Sequence, residues 1–286
     1  MLAVLSWVPG PPILKYLTGY VDFWTQNFLR YAVAMVVLLP ILVFSIRTKK
    51  VDSSIWRKAI LPTIPNILAQ CLWAAAFYYI NPAFMTLLGQ SQILWTAAVM
   101  MIFFVDERAL LYKKRFWFGT LAAIAGLIGI IVLKEDFTAR ASLIGIAISL
   151  SWAVTWSLYT TAAKVAFKTT DSIAGFAVVS LYTAPCLAVL AFVFGRVSQC
   201  ASMNFSVWIY LLISAISSIV LSHSFYYAAI KRIGATIPSL IILAEPFLIL
   251  IVSHIVFSET LSYAQGIFGI ILIGGAALAI RAQEYV

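Results

Sequence analysis

The sequence is poor in charged residues for a chain of 286 residues. Only 10% of its residues are Asp, Glu, Lys or Arg, whereas 63% are hydrophobic, and the mean hydropathy is +1.02. A soluble globular chain carries about 25% charged residues, because these side chains cover its surface. The composition therefore excludes a soluble globular protein.

Cysteine and histidine are also scarce, which argues against a disulfide framework or a metal site. The three cysteines show no CxxC spacing. His223 and His254 lie in apolar runs without a metal-binding spacing such as His-x-x-Glu-His. We therefore expect no metal and no cofactor. His254 is expected to be a packing residue, whereas His223 is a candidate for the lining of a cavity.

Apolar runs of about 18 residues or more, separated by short charged clusters, are typical of helices that span a bilayer. Prolines at positions 9, 11 and 12 interrupt the first run, so helix 1 is expected to be discontinuous, or the sequence begins late. No segment between the runs is long enough for a folded domain outside the membrane. The runs predict ten transmembrane helices, near residues 2–20, 24–45, 59–80, 83–105, 116–133, 141–163, 172–194, 207–230, 235–257 and 262–281.

The net charge of +9 comes from Lys and Arg residues that cluster between the apolar runs. If the N-terminus is cytoplasmic, fourteen of them fall in cytoplasmic loops and four on the opposite side, with Arg30 inside helix 2. Basic residues are enriched in cytoplasmic loops. We therefore expect both termini in the cytoplasm, and the charge gives no reason to expect nucleic-acid binding.

Three markers occur twice along the chain. Leu5-Ser6-Trp7 returns as Leu150-Ser151-Trp152, Phe77-Tyr78-Tyr79 returns as Phe225-Tyr226-Tyr227, and Glu107 returns as Glu259. Three matches in the same order at similar offsets predict a duplication, with chance similarity among apolar segments as the alternative. The halves would be 1–138 and 139–286. Because each half has five helices, the halves would be inverted, as in secondary transporters.

Both halves carry a similar set of acidic residues and glycines. The second half has Glu245-Pro246, Glu259, Gln265, Gly266, Gly269, Gly274 and Gly275, and the first half has Arg30-Tyr31-Ala32, Glu107, Gly119, Gly126 and Gly129. With these residues, both halves resemble the EamA-type repeat of the drug/metabolite transporter superfamily, although the first half departs from the pattern at Leu94, where Pro is common. The resemblance implies an all-α integral membrane carrier of ten transmembrane helices in two inverted five-helix repeats, in a bacterial cytoplasmic (inner) membrane.

Polar residues inside the apolar runs recur at helical spacing, which places them on single helix faces. Polar groups in a membrane helix normally face the bundle interior or a wet cavity. We therefore expect a substrate cavity with aromatic walls; the alternative is that these side chains only pack or hydrogen-bond neighbouring helices. The candidate cavity residues are Asn66, Gln70, Trp73, Gln90, Gln92, Trp152, Trp156, Tyr159, Ser218, His223, Tyr226 and Glu245.

Glu245 is the sharpest single candidate, because it lies about eleven residues into predicted helix 9, near the middle of the membrane. A carboxylate there is a candidate proton carrier or ligand for an amino group, and Pro246 is expected to bend the helix. The alternative is a structural kink. Arg30 is expected to extend toward a membrane face, with substrate binding as the alternative. Glu107 and Glu259 are expected to cap helices or gate loops.

The pattern favours a secondary transporter that moves a small metabolite across the membrane by alternating access. The chain has no GxxxxGK[ST] phosphate-binding loop, so a proton or a counter-substrate is expected to drive transport, with uncoupled downhill transport as the alternative. The alternatives are an intramembrane enzyme, for which no nucleophile motif or carboxylate pair is present, and a scaffold that does not transport. The aromatic residues favour export of an amino acid or an aromatic metabolite. The lipid bilayer and this substrate are the expected partners.

Overall fold

The computed structural model describes residues 2–48, 51–103, 112–133, 140–167, 171–233 and 242–282. Within these ranges the chain is all-helical and contains no strand. The helices are α1 (Leu2–Trp7), α2 (Gly10–Leu17), α3 (Phe23–Arg47), α4 (Ile55–Ala76), α5 (Pro82–Gly89), α6 (Gln92–Phe103), α7 (Lys114–Val132), α8 (Arg140–Ala166), α9 (Ser172–Phe194), α10 (Phe205–Ala215), α11 (Ser222–Ile233), α12 (Glu245–Phe257) and α13 (Tyr263–Arg281).

Seven of the described helical segments are long and apolar enough to cross a membrane, and two further apolar helices are shorter. Large hydrophobic side chains are exposed along their outer faces, as expected where lipid replaces water. The seven segments are Phe23–Arg47, Ile55–Ala76, Pro82–Phe103, Lys114–Val132, Ser142–Ala166, Ile173–Phe194 and Phe205–Tyr226, and the shorter helices are Glu245–Phe257 and Tyr263–Ala279.

Predicted helices 1, 4, 8 and 9 are interrupted where the structure describes them. Predicted helix 1 consists of α1 and α2, which confirms the expected discontinuity at Pro9. Predicted helix 8 contains a π-helical segment at Ile216–Leu221 between α10 and α11. Predicted helix 4 was expected to be continuous, but it breaks between α5 and α6, where Gly89 ends one helix and Gln92 begins the next.

Helix 9 was predicted as one helix with a bend at Pro246, and the structure interrupts the helix there. Glu245 is the first residue of α12, and a turn at Leu243-Ala244 separates it from the helical residue Ile242. Pro246 has no amide hydrogen to donate to the carbonyl oxygen of Ile242, four residues earlier, so the helical hydrogen bonding is broken at this point. Residues 234–241, in which the helix was predicted to begin, lie outside the described residues.

The most extensive helix packing joins the two halves of the chain. The largest contacts join α7 to α13, α4 to α8, and α3 to α9. Smaller contacts join α4 to α9 and α6 to α8, and smaller ones again join α5 to α12 and α1 to α11. In each of these pairs, a helix from the first half of the chain packs against a helix from the second half.

Glycine allows the backbones of α7 and α13 to approach closely. A Cβ added to Gly275 would lie 2.5 Å from the amide nitrogen of Ala123 and 2.6 Å from the carbonyl oxygen of Gly119. A Cβ added to Gly119 would lie 2.6 Å from the carbonyl oxygen of Gly275. Small residues at such contacts bring membrane helices into backbone contact, where dispersion forces hold them together. Among the described glycines, those of α7 and α13 mark the closest backbone contact between the two halves.

The substitution Gly275→Ala is expected to lower the free energy of unfolding by about 1–3 kcal/mol, because the added methyl group meets backbone atoms that cannot rotate away. Gly274→Ala is a matched control, since a Cβ at Gly274 has no atom within 4 Å. Unfolding of the purified variants in detergent micelles would compare the two. Equal stability of both variants would contradict the close contact.

Candidate functional site

Six of the ring-bearing side chains form one continuous series of contacts, which we call the aromatic row. Its ring centroids are separated by 4.6 Å (Trp73 to Trp152), 5.6 Å (Trp152 to Trp156), 5.8 Å (Trp156 to His223), 5.7 Å (His223 to Trp7) and 5.4 Å (Trp7 to Tyr226). Tyr159 adjoins the row through Trp156, at 5.2 Å. The structure thus brings together every aromatic residue predicted for the cavity, from α4, α8 and α11, and adds Trp7 from α1.

Asn66 and Gln70 are buried, and their amides join neighbouring helices. The Asn66 Nδ2 donates to Thr183 Oγ1 of α9 at 3.0 Å and to the Tyr31 hydroxyl of α3 at 3.3 Å. The Gln70 Nε2 donates to Asn66 Oδ1 at 3.4 Å. For these two residues the structure supports the alternative interpretation, in which polar side chains hold membrane helices together.

Gln90 and Gln92 lie at the break between α5 and α6, and here the polar groups lack partners. Gln90 Oε1, Ser91 Oγ and Gln92 Oε1 are buried, and none accepts or donates a hydrogen bond within the described part of the chain. The Gln92 carbonyl oxygen does accept one from Ser157 Oγ, at 2.9 Å. Unsatisfied buried polar groups are costly, so their concentration at one break marks a candidate binding site.

The second break, at Leu243-Ala244, lies close to the first. Leu243 is buried in a hydrophobic cluster against which Ile93, the residue after Gln92, packs. We call residues 90–92 and 243–245 the paired breaks. The half-buried Glu245 stands at the second break and makes no side-chain hydrogen bond or ion pair with the described residues. Its carboxylate is therefore available to a ligand.

Glu259 has the capping role expected of it. Its carboxylate accepts hydrogen bonds from the backbone amides of Ala83, at 3.1 Å, and Phe84, at 3.2 Å, in the first turn of α5. Ser253 of α12 also donates to this carboxylate. Glu259 thereby ties the beginning of α5 to the end of α12. Glu107, its counterpart in the first half, lies outside the described residues.

Arg30 contradicts its prediction. It does not extend to a membrane face but is 1% exposed, and its Nε donates to Ser214 Oγ of α10 at 3.1 Å. Sequence inspection also overlooked Gln26 and Asn27, which are fully buried on the same helix. Their spacing from Arg30, three and four residues, was a visible signal of one polar face on α3.

Of the remaining residues singled out in the sequence, Ser218 is buried and His254 is exposed. Ser218 lies in the π-helical segment, where its side chain is packed against Gly10 of α2. His254 was expected to be a packing residue, but it is exposed, and its Nδ1 lies 3.0 Å from the carbonyl oxygen of Glu259.

A cleft of about 200 Å³ opens beside the loop between α2 and α3. None of the predicted site residues lines it. At its edge, Asp22 caps α3 by accepting hydrogen bonds from the amides of Trp24 and Thr25, and it also accepts one from the amide of Arg196. These bonds give the cleft a structural role that connects α3 with the end of α9.

Comparison with known proteins places the fold. The chain matches the EamA-like transporter family over residues 1–132 and 143–281. One solved crystal structure is similar over 99% of this chain and 96% of its own length, with a TM-score of 0.68 and 18% sequence identity. At that identity the similarity concerns the fold alone. No curated protein matches the chain.

Glu245 begins α12, and Glu259 follows its end. Because only Glu259 makes hydrogen bonds to described residues, replacing each glutamate by glutamine should change the stability of the protein differently. Glu259→Gln is expected to lower the free energy of unfolding by about 1–3 kcal/mol, because two amides at the start of α5 lose a charged acceptor. Glu245→Gln is the matched control and should leave stability unchanged or higher, since no described partner is lost. Tryptophan fluorescence during unfolding in micelles measures both. A larger loss for Glu245→Gln would contradict these assignments.

Proposed function

Because the chain belongs to the EamA-like transporter family, we propose that it is a secondary transporter that moves a small metabolite across the cytoplasmic membrane by alternating access. Its working parts would be ten membrane segments in two inverted repeats, residues 1–138 and 139–286. The family and the apolar helices make it a multi-pass membrane protein. The distribution of Lys and Arg supports cytoplasmic termini.

The packing of the helices supports two inverted repeats. Numbered by predicted segment, five of the pairs are 5 with 10, 2 with 7, 4 with 9, 3 with 6, and 1 with 8, whereas the contact of 4 with 6 is larger than its counterpart, 9 with 1. If each segment is replaced by its counterpart in the other half, so that 1 and 6 change places, 2 and 7 change places, and so on, the first three pairs stay the same. The same replacement converts the pair 3 with 6 into the pair 1 with 8, and the reverse. A two-fold axis between the halves has this effect, as expected for inverted repeats.

The paired breaks are the single observation that best supports a transport site. Interrupted helices at the interface of two repeats are where secondary transporters bind their substrates and coupling ions. Here the interruptions lie side by side, with Gln90, Ser91 and Gln92 unsatisfied at one and the Glu245 carboxylate available at the other. We assign substrate or proton binding to this group of residues.

The aromatic row supports a substrate with a flat or apolar body. Trp and Tyr side chains provide large contact areas for planar or amphipathic molecules. An amino acid or a related aromatic metabolite fits this lining, and export is the direction we favour. Glu245 is our candidate for coupling, because a carboxylate without a fixed partner can exchange a proton or bind an amino group during the cycle.

Counterflow in proteoliposomes tests the transporter. Vesicles loaded with pooled amino acids and nucleobases are expected to take up labelled compounds in a saturable, pH-dependent manner. Glu245→Gln should reduce this flux at least ten-fold, because it removes the group that we assign to coupling, without unfolding the protein.

Asp52→Asn is the matched control for that experiment. Asp52 is exposed in the loop before α4, and hydrogen bonds from Ser54 and Ser53 hold the pKa of its carboxyl below the usual range. Because it lies outside the proposed site, its replacement should leave flux unchanged. Flux that survives Glu245→Gln would remove the coupling role from Glu245. No flux for any compound would contradict the transporter and favour a scaffold or an enzyme.

A further inference from the structure

The second concentration of unsatisfied polar groups surrounds Arg30. The Arg30 side chain is 1% exposed, and apart from the bond between Nε and Ser214, its Nη1 is buried and has no hydrogen-bond partner among the described residues. Burial of an uncompensated charge costs several kcal/mol. A guanidinium in this position therefore requires a negative charge from elsewhere.

The described carboxylates do not provide that charge. Asp22 and Asp171 cap the N-termini of α3 and α9, and Asp52 is exposed in a loop. Glu259 is bonded to α5. Glu245 makes no ion pair with the described residues, so it does not compensate Arg30. Within the described ranges, the positive charge of Arg30 is left for a ligand.

The neighbours of Arg30 on α3 extend the same polar face. The Nδ2 and Oδ1 of Asn27 and the Oε1 of Gln26 are buried and have no nitrogen or oxygen partner in the described part of the structure, and the Asn27 amide lies beside the thiol of Cys71. Gln26 uses its Nε2 to donate to the carbonyl oxygen of Leu14, at 3.2 Å, so its orientation is fixed by α2. Arg30 Nη1 is thus an unused donor, and the Asn27 amide, whose described neighbour is a weakly hydrogen-bonding thiol, lies one helical turn away.

The backbone opposite this face is irregular. Ser214 is followed directly by the π-helical segment Ile216–Leu221, which packs against α3 and α1. Single π-helical turns within α-helices are frequent at functional sites. The segment leads into His223, a member of the aromatic row, and Arg30 lies within electrostatic range of this histidine. The polar face therefore adjoins the aromatic row.

We propose that the transported substrate carries a carboxylate and that Arg30 and Asn27 bind it, with Ser214 positioning the guanidinium. This inference rests on the proposed transport function and specifies its substrate class. A planar guanidinium matches the two oxygens of a carboxylate. One positive charge balances one carboxylate, whereas a phosphate dianion would remain half compensated. The apolar or aromatic body of the substrate would lie along the aromatic row.

Three benzene derivatives of similar shape test the charge requirement: benzoate, neutral benzamide and cationic benzylamine. The protein in lipid nanodiscs is unfolded by heat, with tryptophan fluorescence as the readout. Benzoate is expected to raise the midpoint in a saturable manner, because ligands that bind only the folded state stabilise it. Benzamide and benzylamine should not. Arg30→Gln should weaken the apparent affinity for benzoate at least ten-fold, as the loss of a charged hydrogen bond does.

Two further variants keep the test independent of the folding of Arg30→Gln. Asn27→Asp places a carboxylate one turn from Arg30, which should neutralise the guanidinium, preserve the fold and abolish the benzoate response. Arg57→Gln removes an exposed arginine at the start of α4 and is the matched control, with the response unchanged. If Arg30 were purely structural, Asn27→Asp would leave the benzoate response intact.

The outcomes separate this inference from the transport function. No stabilisation of the wild type by benzoate, or a response that persists in both Arg30→Gln and Asn27→Asp, would overturn the carboxylate site. Counterflow restricted to neutral or cationic compounds would also overturn it while leaving the transporter intact. Benzoate binding that depends on Arg30, without flux for any compound, would support the site and reject transport.

Discussion

Hydrocarbon offers no hydrogen bonds, so every polar group that this chain places inside the membrane needs a partner from the protein itself. Much of the structure meets this requirement locally. Thr63, Ser149 and Ser157 donate to backbone carbonyl oxygens one turn earlier in their helices. Most of the buried atoms left without a partner in the described ranges fall in two segments, 26–30 and 90–92. Since such groups are costly, their concentration in two places is the observation on which the two proposed binding sites rest.

The cap at Glu259 has a mechanical consequence for the paired breaks. Because Glu259 follows α12 and bonds the first turn of α5, the short helices α5 and α12 are tied together at one end. Their other ends are the paired breaks, where the described part of the structure shows no such polar connection. A rearrangement of these helices would therefore begin at Gln90 and Glu245, which are the residues that we assign to substrate or coupling.

Sequence alone predicted the membrane class and most spans, because hydropathy depends on composition over some twenty residues and needs no tertiary information. It also located the aromatic row, since residues such as Trp152 and Trp156 recur at helical spacing on one face. It failed at Arg30 because hydropathy does not give the side to which a single polar residue points. It did indicate the interruption at Pro246, because proline lacks the amide hydrogen that the interior of a helix requires.

The contact between α7 and α13 restricts how the halves can move. Their backbones touch at Gly119 and Gly275, so little displacement is possible there without a clash or a void. If one repeat rocks against the other as we propose, α7 and α13 stay together and the other pairs change. All the candidate residues, including Arg30, lie outside these two helices. The fixed pair therefore leaves the helices that bear the site free to rearrange around a substrate, while a continuous contact between the halves is maintained.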